Sequence, residues 1–255
     1  MLEIVILIIS AFITSTISAI IGMGGGIILL GIMAILIPEG YMVIALHGII
    51  QLFSNATRTL VFRKHIKKKI ITKYILGAII GVSSSILILI VLINNYNVLT
   101  ADQIDMEILK PLIGVFIIWN LLFKKYFKNK IKNQKKSSFV FVGFLSGLCS
   151  IFIGATGPLI APFFLNRSLT KENIIANKAA CQMITHLSKI PIFIYFFNFN
   201  YINQYNILLP LIIAVFIGTN FGKKILGFIS EDLFKKIFKI ILFVIALRLI
   251  LLEVL

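Results

Sequence analysis

The fold class this sequence predicts is an all-α polytopic membrane protein. It has two homologous halves, the second inverted, and eight to ten transmembrane segments with helices broken at glycine-rich motifs. Three observations carry this. Hydrophobic residues make up 59% of the 255 and charged residues only 13%, with a mean hydropathy of +1.04. A soluble domain averages about a quarter charged, so this chain is too poor in charge to cover a water-facing surface. Apolar runs of spanning length recur along the chain, and motifs of its first half return in its second.

In order, apolar segments are expected near 2–21, 27–37, 41–62, 71–93, 108–123, 139–153, 159–165, 174–197, 205–222 and 233–252. The first opens "MLEIVILIIS" with no basic n-region and no A-x-A cleavage site, so it is expected to stay as a retained span. Segments 27–37 and 159–165 are short and suit half-helices or re-entrant limbs. Basic residues concentrate at 63–73, 124–136, 166–172 and 223–239, whereas "PEGY", "NNYNVLTADQIDME" and "NFNYINQYN" hold none. If each short limb returns the chain, all four basic clusters fall on the cytoplasmic side. The net charge of +16 then means inner-leaflet orientation and anionic lipid, not nucleic acid. The organisation expected is a first repeat over 1–123, a basic cytoplasmic linker over 124–138 and a second repeat over 139–255, in the cell membrane.

The duplication is read from position. "GMGGGIILL" at 22–30 lies over "GATGPLIAP" at 154–162, with Gly22 over Gly154 and Gly25 over Gly157. At an offset of 131, "ALHGIIQLFSNATR" lies over "ANKAACQMITHLSK". That register pairs His47 with Lys178, Gln51 with Gln182, Ser54 with Thr185, Asn55 with His186 and Arg58 with Lys189. Further on, "GAIIG" (77–81) answers "GTNFG" (218–222), small-xxx-small pairs suited to close helix packing.

Both polar sets repeat at spacings of three and four, which puts each on one helix face. Charged residues at mid-membrane are costly and normally face a cavity or a partner. All nine acidic residues can be assigned to loops or segment ends. A carboxylate cation site therefore has no material, and the basic and amide inventory favours an anion. Glycine inside a helix costs roughly 1 kcal/mol against alanine. The run Gly22, Gly24, Gly25, Gly26 is explained if the break presents free amides at a helix N-terminus, which attracts anions. Gly154, Thr156, Gly157 and Pro158 would do the same in the second half, proline suiting the first helical position. Discontinuous helices at a repeat interface are the setting of a transporter site. Gln51, Gln182, Arg58 and Lys189 are the side chains expected at the anion, and His47 and His186 the candidates for proton coupling.

The "IIGMGGG" break followed by Ala45-x5-Gln51-x3-Asn55, with a weaker echo in the second half, resembles the sulfite exporter TauE/SafE family over essentially the whole chain. The resemblance implies a transporter of sulfite, sulfonates or related sulfur-containing or organic anions. It marks Gly22, Gly24, Gly25, Gly26, Gln51 and Asn55, then Gly154, Gly157, Pro158 and Gln182. "GATGP" is less glycine-rich than its partner, and His186 stands where Asn55 stands in the first copy. No cofactor or metal is expected. An enzyme is disfavoured, since no H-E-x-x-H, G-x-S-x-G or acid pair occurs. A passive anion channel and a thiol-dependent carrier using Cys149 or Cys181 remain as alternatives.

Overall fold

The computed structural model describes residues 2–22, 24–95, 139–157 and 169–225, with scattered positions at 115, 118, 160, 163–164, 240, 243–244 and 247. The segments expected at 108–123 and 233–252, the linker at 124–138 and Pro158 lie outside the described residues. Within them the chain is all helix, with no strand.

Seven helices follow in order: α1 (Leu2–Ile21), α2 (Gly25–Leu36), α3 (Gly40–Val61), α4 (Lys68–Asn95), α5 (Phe139–Ile153), α6 (Lys171–Phe197) and α7 (Tyr205–Ile225). Single 3-10 turns at Arg63–His65 and Ile202–Gln204 join α3 to α4 and lead into α7. Their boundaries have local causes. Gly22 and Gly24 hold φ of 75° and 104° and end α1, a conformation that costs L side chains about 1–2 kcal/mol. Thr170 caps α6 by accepting from Asn173 N at 3.2 Å, and Asn198 ends it in the left-handed region at φ 49°.

Among the described residues, three helices (α1, α4 and the stretch 202–225 containing α7) are long and apolar enough to cross a membrane. This is a polytopic membrane protein. At twelve residues, α2 reaches only about 18 Å, well short of a hydrocarbon core of about 30 Å, so it is a half-helix.

The helices pair across the two halves of the sequence. α4 runs parallel to α5: a Cβ on Gly77 would strike the Val140 carbonyl and one on Gly81 the Phe144 carbonyl, while Ser85 Oγ donates to Leu148 O at 2.9 Å. α1 runs parallel to α7 in the same manner. Gly218 lies against Phe12 and Ser15, Gly222 against Thr16, and Thr16 Oγ1 donates to Gly218 O at 3.0 Å. Both glycine pairs read from the sequence thus sit at close helix contacts.

Between these pairs α3 and α6 cross the centre antiparallel. At one end Tyr41 meets Phe197 and Phe199, with ring centroids at 6.5 and 6.1 Å. At the other end Asn173 Nδ2 and Asn177 Nδ2 each donate to His65 O at 3.0 Å, and Lys67 N donates to Asn177 Oδ1 at 2.7 Å. Lys223 joins this second end, its ammonium 5.9 Å from the Phe62 ring. The described members of the basic clusters therefore share one end of the molecule, opposite an aromatic end.

Candidate functional site

The two breaks meet at one place. α1 stops where Gly22 N donates to Ser18 O at 2.9 Å, and α2's own bonding begins with Ile27 N and Ile28 N, both donating to Gly24 O at 3.2 Å. Gly25 and Gly26 are thus the first residues of the new helix, two positions earlier than the sequence suggested. Their amides precede the point where intrahelical bonding starts. In the second half Gly154 N donates to Ser150 O at 3.2 Å with Gly154 at φ 81°. Gly157 and Ile160 are helical, and Ile160 N donates to Thr156 O at 3.2 Å.

The glutamines lie directly over the restarted helices. A Cβ on Gly26 would fall 2.9 Å from Gln51 Oε1, and one on Gly157 would fall 3.0 Å from Gln182 Nε2. Only a residue without a side chain leaves room for these amides. Gly26 and Gly157 stand 131 apart, as do the glutamines, whereas the helix-ending Gly22 and Gly154 stand 132 apart. The second break is one residue tighter. The glutamine that covers the second residue of α2 covers the first helical residue of its counterpart.

Between these parts is a small cavity of about 20 Å³ lined by Gly24, Gly26, His47, Gln51, Arg58, Gly157, Lys178, Gln182 and His186, together with Ser18, Ile27 and Ala155. The other marked residues support this lining. Gly22 O accepts from Lys178 Nζ at 3.1 Å, and Gly154 O accepts from Lys189 Nζ at 2.5 Å. Lys189 is fully buried, its stem against Gly48 of α3. Arg58 is also buried and does not reach for the basic surface: its Nη2 donates to Asn55 Oδ1 at 2.7 Å and its Nε to Ser54 O at 3.4 Å. Asn55 Nδ2 in turn donates to Gln51 O at 2.8 Å. Gly25 packs closely against the Thr14 carbonyl and Ser18. Thr156 is held by a hydroxyl chain in which Tyr74 OH reaches Ser146 Oγ at 2.5 Å and Ser146 Oγ donates to Thr156 Oγ1 at 3.0 Å.

Two imidazoles face each other here, His47 and His186, with ring centroids 5.9 Å apart. His47 Nε2 lies 2.8 Å from Gly26 O. Among the described acidic residues, Glu3 and Glu172 sit in first helical turns and Glu39 precedes α3, so no carboxylate joins the lining. Nor do the described residues contain a group of three or more potential metal ligands. Cys181 is buried in the cluster around Tyr74 and Cys149 is partly buried on α5; neither lines the cavity.

The site list drawn from sequence had no place for Ser18, Ala155 or Ile27, and left Lys178 as a stripe residue only. A signal for Ser18 was present: Ser18-x3-Gly22 recurs as Ser150-x3-Gly154. Chemically, the chamber offers cations, amides and the amino end of α2 to a small solute, and no negative group among its described residues.

The model of the sulfite exporter TauE/SafE family matches residues 7–249. No curated protein and no solved structure matches the chain.

Proposed function

Because this chain belongs to the sulfite exporter TauE/SafE family, which suggests a membrane transporter of sulfur-related anions, we propose that it carries sulfite, sulfonates or related small oxyanions by alternating access. The observation that carries the reading is the cavity where both helix restarts, both glutamines and Arg58 converge without a carboxylate among the described lining residues. An anion placed there would accept from the first amides of α2, from the amide groups of Gln51 and Gln182 and from Arg58. Lys178 and Lys189 would act from behind, holding the carbonyls of Gly22 and Gly154. That second role matters, because it turns the last carbonyls of the interrupted helices away from the anion and offsets their partial negative charge.

The repeats are read as inverted, as in other transporters with paired discontinuous helices. Two parallel cross-pairs, α1 with α7 and α4 with α5, around an antiparallel α3 and α6 are the arrangement such a symmetry requires. The basic end, with 63–73 and the start of 223–239, is placed in the cytoplasm by the excess of lysine and arginine there. The cluster at 124–136 is assigned to the same side.

Replacing both Gln51 and Gln182 by alanine tests the site. Each glutamine offers an anion one hydrogen bond to a charged group, worth about 1.5–3 kcal/mol. Labelled sulfite flux in proteoliposomes should fall by at least about tenfold, with unchanged protein yield and elution profile. Full flux in the double variant would remove the assignment. Saturation and counterflow are expected of a carrier, and their absence would turn the reading to a channel.

A further inference from the structure

The imidazole pair has a requirement that an anion alone does not meet. His47 Nε2 lies 2.8 Å from the Gly26 carbonyl, which can only accept, so Nε2 carries the hydrogen. In the neutral ring the lone pair is then on Nδ1. That atom is buried without a hydrogen-bond partner, and so is Nδ1 of His186, 5.9 Å away between ring centroids. Both residues are almost fully buried, at 0% and 2% exposure, and both line the cavity. A buried acceptor left without a donor is destabilising, and a bound donor recovers that cost.

The groups facing the rings decide what kind of donor. From α6 come Lys189 and, beyond it, Lys178; from α3, Arg58; from the two breaks, the carbonyls of Gly26 and Gly154. The Gly154 carbonyl already accepts from Lys189 Nζ and, being an acceptor, cannot satisfy a ring lone pair. A second proton on either imidazole would add a positive charge to this set, and no carboxylate among the described lining residues offsets it. A donor carried on an anion supplies that hydrogen bond without adding to the positive charge.

We propose that the solute is a monoprotonated oxyanion, whose oxygens take the amide and guanidinium donors while its O–H donates to Nδ1 of His47. This rests on the anion-transport reading and narrows it: the cavity selects for a proton carried by the anion. No bond to the proton is broken in the step, and anion and proton cross together as one species.

The test compares two singly charged anions with similar sulfur–oxygen heads, hydrogensulfite and methanesulfonate. The second has a methyl group and no O–H. With the full-length chain in proteoliposomes at mildly acid pH, hydrogensulfite flux should exceed methanesulfonate flux by at least about 100-fold, as a site built around a donor rejects a ligand lacking it. Substituting His47→Leu should narrow that ratio, read against protein that elutes as the parent does. Comparable fluxes of the two anions in the unaltered chain would overturn the proposal while leaving anion transport standing. Absence of flux for both would overturn the reading beneath it.

Discussion

Gly26 and Gly157 have the same problem to solve: each must begin a helix and leave its α-carbon open to a glutamine amide. A methyl group at either position would sit 2.9 or 3.0 Å from that amide. Gly26→Ala and Gly157→Ala should therefore swing Gln51 or Gln182 out of position and depress sulfite flux several-fold. Since the obstacle is a flexible side chain, the melting temperature should scarcely move. Gly154→Ala makes the contrast. Its φ of 81° is left-handed and its Cβ would press on Leu30 Cδ1 at 3.1 Å. Strain of about 1–2 kcal/mol should appear directly as a lower melting temperature in detergent, measured by differential scanning fluorimetry. If Gly154→Ala melts with the parent while Gly26→Ala does not, the division of labour between the glycines is wrong.

Much of the residue scale was legible. Polar side chains at positions 47, 51, 55 and 58 inside an apolar segment demand a buried face, and the structure brings His47, Gln51 and Arg58 to the cavity with Asn55 bracing them. What the pattern could not show was role. Asn55, Thr156 and Gly25 look like site residues by motif, yet their contacts are to Arg58, Ser146 and Thr14. Whether a polar group faces a ligand or another side chain depends on rotation within the helix pair, and spacing leaves that open.

For the helices, the apolar runs located all seven described elements within about three residues of either end, because hydropathy marks the lipid-embedded length. α2 was placed two residues late, since glycines look like a break although two of them form the first turn. The small-xxx-small pairs were visible as well, but not their partners. Close approach decides the sign of a substitution there. In an open helix Gly→Ala gains about 1 kcal/mol, but Gly81→Ala would drive a methyl into the Phe144 carbonyl across the α4–α5 contact. Overpacking of this kind costs about 1–3 kcal/mol, more than the propensity gain. Gly81→Ala should thus lower the melting temperature, and the same substitution at Ser84, whose side chain only bonds back to Ile80 O on the exposed face, should not. A stabilised Gly81→Ala chain would mean that α4 and α5 are farther apart than described.

The whole molecule is where sequence said least and where structure adds most. The duplication divides the chain into two repeats at 124–138 but does not say how they pack. Among the described residues α1 lies along α7 and α4 along α5, so helices of the two halves pair with one another. The contacts that make this interleaving are backbone to backbone: Gly77 and Gly81 against Val140 and Phe144, Gly218 and Gly222 against Phe12 and Thr16. Lipid is as apolar as leucine, so such contacts and not burial hold helices together in a bilayer. A half expressed alone would leave these surfaces unmet, and Arg58 or Lys189 would lose the opposing half of its surroundings as well. Residues 1–138 and 139–255 should each fail to accumulate singly in membranes. Expressed together as separate chains, they should co-purify and restore sulfite flux to a substantial fraction of the intact chain, since the break falls between the halves and cuts no described helix. Immunoblots of membrane fractions, with flux in vesicles from the same cells, read both outcomes. A single half reaching the level of the full chain would show that the halves fold independently and that the cross-pairing is not what holds the site together.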